Sequence, residues 1–197
     1  MGKKPVAAGK SSLDLIDARE FFARIDLPPG GVVLDLACGV GNYSLEISKA
    51  LGGNGLIYAV DSWEEGIETL KQTIREAGTS NIRPIVADIA ERLPLEDASV
   101  DFCLMATVLH DLSLAEQPAA LAEAARVLKP GGVLALVEFK KVDRGPGPPM
   151  SIRISEQEAE AMIGTFGFQK TYCGDLGEFT YLLTARKASR PAGTKAG

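Results

Sequence analysis

The chain has 197 residues, 46% hydrophobic and 24% charged, with a formal net charge of −5. That profile fits one soluble globular domain with a sizeable core. It argues against non-specific attraction to nucleic acid or an anionic membrane, and no apolar run approaches the roughly 20 residues that span a bilayer.

In chain order, residues 1–11 are Lys-, Gly- and Ala-rich and read as a disordered start with no signal-peptide pattern. A helix is expected from Ser12 to Ile25, with Leu15, Ile16, Phe22 and Ile25 on one face. The stretch 12–26 reads either as a cover for one sheet edge or as a lid. Val32–Leu36 is a buried strand, followed by the small-residue turn Ala37-Cys38-Gly39-Val40-Gly41 and a helix from Asn42 to Leu51. Leu56–Val60 is a second strand ending at Asp61, and Ser62-Trp63-Glu64-Glu65 has the pattern of a capping box. A helix then runs to Gly78. Ile82–Ala87 is a third strand, which Pro84 assigns to a sheet edge, with Asp88 at its end.

Residues 89–98 form a loop. Val100–Ala106 is the fourth strand, and Ser113 to Glu116 is a second capping box whose helix runs to Leu128. Lys129-Pro130-Gly131-Gly132 reads as a tight turn before a fifth strand, Val133–Phe139. Ser155 to Glu158 is a third capping box. Phe168–Cys173 and Phe179–Ala185 read as a terminal antiparallel hairpin, and 188–197 as a disordered tail. Residues 12–187 thus form one α/β domain, its sheet mostly parallel with one antiparallel C-terminal strand. Ligands of such sheets sit outside the carboxyl ends of the first strands. Gly39, Asp61, Asp88 and Ala106 fall there.

The strand, glycine turn and helix make a nucleotide-binding corner. Asp61 lies twenty residues after Gly41, where an acid can accept from both ribose hydroxyls of an adenosine. That serves a nicotinamide dinucleotide and S-adenosylmethionine alike. The turn discriminates between them. Ser44 stands where a dinucleotide fingerprint has its third glycine, and Asp35 puts a carboxylate near the turn. A carboxylate is awkward for a pyrophosphate and suits a ligand bearing an ammonium group.

Leu34-Asp35-Leu36-Ala37-Cys38-Gly39-Val40-Gly41 resembles the first motif of class I S-adenosylmethionine-dependent methyltransferases. Ala59-Val60-Asp61, Ala87-Asp88-Ile89 and Leu128-Lys129-Pro130-Gly131-Gly132 resemble the later motifs, in the family's order, over about residues 30–140. The likeness is to the small bacterial ubiquinone/menaquinone-biosynthesis-like, or type 11, branch. Ala37 departs from the usual Gly. The resemblance implies a Rossmann-like three-layer αβα sandwich with a seven-stranded sheet. It implies S-adenosylmethionine as cofactor, leaving as S-adenosylhomocysteine. Asp35, Ala37, Gly39 and Gly41 would line the methionine end, with Asn42 and Tyr43 nearby. Asp61 would hold the ribose; Ser62 and Trp63 would flank the adenine. Asp88 would accept from the adenine amino group and Ile89 would pack on the ring. Ala106 and Thr107 would lie under the methionine moiety.

His110, the only histidine, follows the fourth strand and is the candidate contact for the acceptor or its proton. The alternative is a hydrogen-bonded histidine at a helix approach. The segment 138–150 with Arg153 carries four cations and reads either as a loop for an anionic or polar acceptor or as a solvated crossover. Without aromatics between those cations, a nucleic-acid acceptor is not expected. The expected protein is a cytoplasmic monomer or homodimer that methylates a small molecule. Other readings are a non-catalytic S-adenosylmethionine-binding module, an NAD(P)-dependent oxidoreductase, and methylation of a thiol-bound metalloid. The wide spacing of Cys38, Cys103 and Cys173 disfavours the last, and no metal site is expected.

Overall fold

The computed structural model describes residues 11–189. The expected disordered ends fall, at 1–10 and 190–197, outside these described residues. Seven strands form one sheet: β1 (Val32–Leu36), β2 (Leu56–Asp61), β3 (Ile82–Val86), β4 (Val100–Ala106), β5 (Leu128–Phe139), β6 (Phe168–Leu176) and β7 (Thr180–Lys187). Their order is β3-β2-β1-β4-β5-β7-β6, with β7 antiparallel to both its neighbours. Pro84 does lie on the edge strand β3, where a missing N–H spares a ladder bond. Among the described residues, five α-helices accompany the sheet: α1 (Ala18–Arg24), α2 (Asn42–Ala50), α3 (Glu64–Ala77), α4 (Glu116–Val127) and α5 (Glu156–Gly164).

The period of two along each strand sorts side chains into two buried layers. Leu34, Leu36, Cys103, Met105, Leu134 and Leu136 pack with Leu121 and Ala124 of α4 and Ala159 and Ile163 of α5. Val33, Ile57, Phe102, Leu104 and Ala135 pack on the other side with Phe21, Ile47 and Leu70. Asp35, between Leu34 and Leu36, therefore points to the α2 side. Chain order reverses between β1 and β4, and this opens the crevice at their carboxyl ends.

Several local expectations are corrected. The helix expected over 12–25 is a 3-10 turn, Ser12–Leu15, and then α1. Ile16 between them is extended, and the Asp17 side chain accepts from Arg19 N–H at 2.8 Å to start a new helix. The tip of the β6–β7 hairpin crowds the break: a Cβ on Gly177 would sit 2.7 Å from the Leu15 carbonyl oxygen. The capping box at Ser62 does not form. The N-cap of α3 is Trp63, and Asp61 Oδ1 takes the Trp63 N–H at 2.8 Å. An aspartate bonding two residues ahead closes the turn before Ser62 can.

The turn at 129–132 lies inside β5 as a bulge. Val100 pairs with Leu128 and Phe102 with Val133, while Gly131 turns at φ +79°. The hairpin strands also run further than expected, to Leu176 and Lys187. The capping box at Ser155 forms, with Ser155 and Glu158 exchanging bonds at 2.7 and 3.3 Å. Ser113 and Glu116 also exchange bonds, at 2.7 and 3.3 Å, but they brace the turn that leads into α4, whose N-cap is Ala115.

Candidate active site

The turn after β1 holds three residues in left-handed backbone: Ala37 (φ +62°), Gly39 (+57°) and Gly41 (+83°). Gly41 is also needed for packing, since a Cβ there would lie 2.3 Å from Leu70 of α3. A Cβ on Gly39 would meet nothing within 4 Å, so the turn presents open backbone at the crevice. Ala37 adopts a conformation that costs an L side chain roughly 1–2 kcal/mol. This strain sits where the methyltransferase motif usually has Gly.

Asp61 ties that turn to β2. Its Oδ2 accepts the Gly39 N–H at 2.8 Å while Oδ1 accepts from Trp63. Asp35 is 1% exposed and accepts from Ser44 Oγ at 2.6 Å. Burial pushes its pKa from 3.8 up to about 6; the Ser44 bond opposes this and the nearby Asp61 charge adds to it. Ser44 is thus more than a missing glycine. It holds the carboxylate that makes this corner unlike a pyrophosphate cradle. Asn42, the first residue of α2, is half-buried.

Tyr43 is buried and meets the Phe21 ring edge-on at 5.5 Å. Its hydroxyl and Ser12 Oγ are 3.0 Å apart, and Thr107 Oγ1 donates to Ser12 Oγ at 3.2 Å. Ser12 so bridges α2 to the end of β4 across the carboxyl edge. Thr107 is itself left-handed (φ +53°) and donates its N–H to Val137 at 2.6 Å. Ala106 beside it is half-buried.

The remaining residues of the first three strand ends are placed less uniformly. Ser62 is exposed. Trp63 is buried with its ring on Gly66, where a Cβ would come within 2.4 Å of the indole. Asp88 is exposed and accepts from Ala90 N–H at 2.9 Å. Ile89 is buried in the core layer beneath.

On the far side of β4, His110 and Glu138 form a buried pair. His110 Nδ1 lies 2.6 Å from Glu138 Oε2, and Glu138 Oε1 accepts the Leu109 N–H at 2.8 Å. His110 Nε2 is 3.6 Å from Asp111 Oδ1. Burial alone would lower the imidazole pKa, but the bond and charge of Glu138, helped by Asp111, outweigh it and raise the value above 6.5. Glu138 was not singled out from the sequence. Its signal there is an acid ending the apolar run of β5, next to the strand that leads to His110. Phe139 meets the His110 ring edge-on at 5.7 Å.

All four cations expected near the acceptor side are bonded. Lys140 pairs with Asp175 at 2.9 Å, Lys141 with Glu158 at 2.7 Å and Arg144 with Glu178 at 3.6 Å. Arg153 is buried, lies over Phe139, and donates to the carbonyls of Lys140, Val142, Pro146 and Pro148. The segment is therefore an internally tied loop rather than a set of free charges. Burial raises the thiol pKa of Cys38 and Cys103, which disfavours thiolate chemistry at either.

Among the described residues, no group of three or more His, Cys, Asp or Glu could hold a metal, and no helix is long and apolar enough to cross a membrane. A cavity of about 230 Å³ lies at the opposite end of the sheet, between Arg24, Asp26, Tyr172 and Arg186. Both arginines are already spent, Arg24 on Glu20 and Asp175, and Arg186 on Asp26 and Gly131.

Residues 33–132 match the family model described as "Methyltransferase domain". The chain is 33% identical over 121 residues to a ubiquinone/menaquinone biosynthesis C-methyltransferase of Burkholderia mallei, covering 61% of this chain and 48% of that protein. It thus spans about half the length of the curated relatives it matches. A S-adenosylmethionine-dependent methyltransferase from Aquifex aeolicus superposes with TM-score 0.82 at 29% identity, over 94% of this chain and 95% of that one. The [4+2]-cyclase SpnF shares the fold at TM-score 0.73 and 22% identity, over 87% of this chain and 80% of that one; the architecture alone does not fix a reaction. With half the chain inside the family model and its motifs on the expected strand ends, the chain belongs to the methyltransferase domain family, whose solved relatives include S-adenosylmethionine-dependent enzymes.

Proposed function

We propose that this chain moves a methyl group from S-adenosylmethionine to a small-molecule acceptor. The observation that carries this is the pairing of Asp35 with Ser44 beneath the open Gly39 turn. A buried carboxylate there fits a cationic aminoacyl end and repels a pyrophosphate. Asp61, at the end of β2, fits a ribose diol: each carboxylate oxygen has one lone pair left after binding Gly39 and Trp63. Asp88 and Ile89 would meet the adenine, with Trp63 and Ser62 beside it. Ala37, Gly41, Asn42, Tyr43, Ala106 and Thr107 would surround the methionine end.

The cofactor, when bound, supplies a methyl group already activated by its positive sulfur. The protein then has to align the acceptor and exclude water. In this reading the Ser12 bridge to Tyr43 and Thr107 closes one side of the crevice as part of a 12–26 lid. His110 faces the acceptor. Glu138 fixes Nδ1 as its protonated nitrogen and stabilises the imidazolium, so Nε2 is the atom that would hold or pass a proton. The names of the Burkholderia relatives support a quinone-related acceptor.

Calorimetry with S-adenosylmethionine and with NADH tests the proposal, together with mass spectrometry of small molecules that co-purify. Binding of the first, S-adenosylhomocysteine in the purified protein and methyl transfer to a hydroxylated ring are the expected results. Binding of NADH alone would overturn it. Cofactor bound without turnover on a broad acceptor panel would identify a binding module instead.

A further inference from the structure

The loop between β3 and β4 has no helix of its own, yet it begins with Asp88 and Ile89. What fixes its path lies on α4. Glu123, 8% exposed, accepts the Leu93 N–H at 2.7 Å through Oε1. Arg126 donates to the carbonyls of Leu93 (3.3 Å) and Leu95 (2.9 Å) and to Asp97 Oδ1 (2.6 Å). Its Nε also donates to Glu123 Oε2 at 2.8 Å, so the two side chains brace each other. The backbone joins in: Ala98 and Ser99 donate to the Arg126 and Val127 carbonyls, and Ala98 is held at φ +51°. At the other end of the loop Ala87 donates to the Asp61 carbonyl at 3.0 Å. A guanidinium fork with five acceptors on four residues is geometry rather than a loose surface pair.

We propose that Glu123 and Arg126 are positioning residues for the nucleobase of the cofactor: by clasping residues 93–98 they set where Asp88 and Ile89 stand. This rests on the reading of Asp88 and Ile89 as the adenine contacts. Neither Glu123 nor Arg126 touches the cofactor in this account. Their effect is on recognition of the base, and a purely structural role would weaken all ligands alike.

The test compares binding of S-adenosylhomocysteine and S-inosylhomocysteine, which differ only at the base, to wild type, Arg126→Met and Glu123→Gln. Wild type should prefer adenine. Arg126→Met should weaken S-adenosylhomocysteine about tenfold and leave the inosine analogue within about twofold, so the preference collapses; Glu123→Gln should show the same trend, smaller. A folded Arg126→Met with the wild-type preference overturns the proposal. Should that variant not fold, Asp97→Ala removes the exposed arm of the clasp, and an unchanged preference in both Asp97→Ala and Glu123→Gln overturns it equally. If wild type binds neither ligand, the cofactor reading itself falls. If wild type binds both equally, only the base contact and its clasp fall.

Discussion

Replacing Asp35 by Asn should make the ligand-free protein more stable and the cofactor bind more weakly. A carboxyl whose pKa rises from 3.8 to about 6 on folding carries a cost of about 3 kcal/mol above that pH. The sign follows from proton binding. The folded state holds the proton more tightly than the unfolded chain, so the cost is full above about pH 6 and fades as pH falls towards 3.8. Asn keeps an acceptor for Ser44 but must bury an amide N–H pair. We expect a net gain of about 1–2 kcal/mol at pH 7.5, which raises Tm by about 2–8 °C for a chain of this size. Loss of the charge-assisted contact should weaken S-adenosylmethionine about 10–150-fold. Wild-type affinity should fall roughly eightfold to tenfold from pH 7 to pH 5 as the carboxylate takes up its proton, and the variant should be flat over that range. Thermal denaturation and calorimetry at both pH values read all three. A variant that is less stable than wild type and keeps the pH slope would refute the reasoning.

Asp61→Ala should weaken S-adenosylmethionine by about 1–3 kcal/mol in calorimetry, since it also frees the Gly39 and Trp63 N–H groups. Ala37→Gly relieves a left-handed alanine and should stabilise the fold by about 1 kcal/mol in urea denaturation. The one histidine gives one NMR titration: its midpoint should lie above 6.5 in wild type and drop in Glu138→Gln. The stability that this pair contributes is full below pH 6.5 and is lost as pH rises through the folded midpoint, so the wild-type advantage over Glu138→Gln should shrink on the alkaline side.

The strand ends were legible because their signals are local. A β-branched run, a glycine turn and an acid at the next strand's end need no knowledge of distant contacts. Asp35 and Ser44 were each visible as departures from a dinucleotide fingerprint. That one holds the other was not, since it depends on the face that strand and helix turn towards each other. What the sequence hid is long-range. Ser12 meets Tyr43 and Thr107 across 31 and 95 residues, and Glu138 reaches His110 across 28. The capping box at Ser62 failed for a local reason that competes with its pattern, the side chain of Asp61. The bulge at 128–132 looked like a turn because Lys-Pro-Gly-Gly is turn chemistry whether or not the flanking residues stay in the ladder.

Arg153 separates two things that loops usually couple, their path and their side chains. It grips 140–148 by four backbone carbonyls, and a carbonyl is the same whichever residue carries it. Positions such as Asp143 can therefore change without loosening the grip, so the surface beside His110 is free to be rewritten while its outline persists. The arrangement concentrates risk as well: one substitution at Arg153 would remove all four of these backbone ties at once. Variation in what this fold recognises next to His110 has a cheap route in the loop's side chains and a closed one at the residue that ties them down.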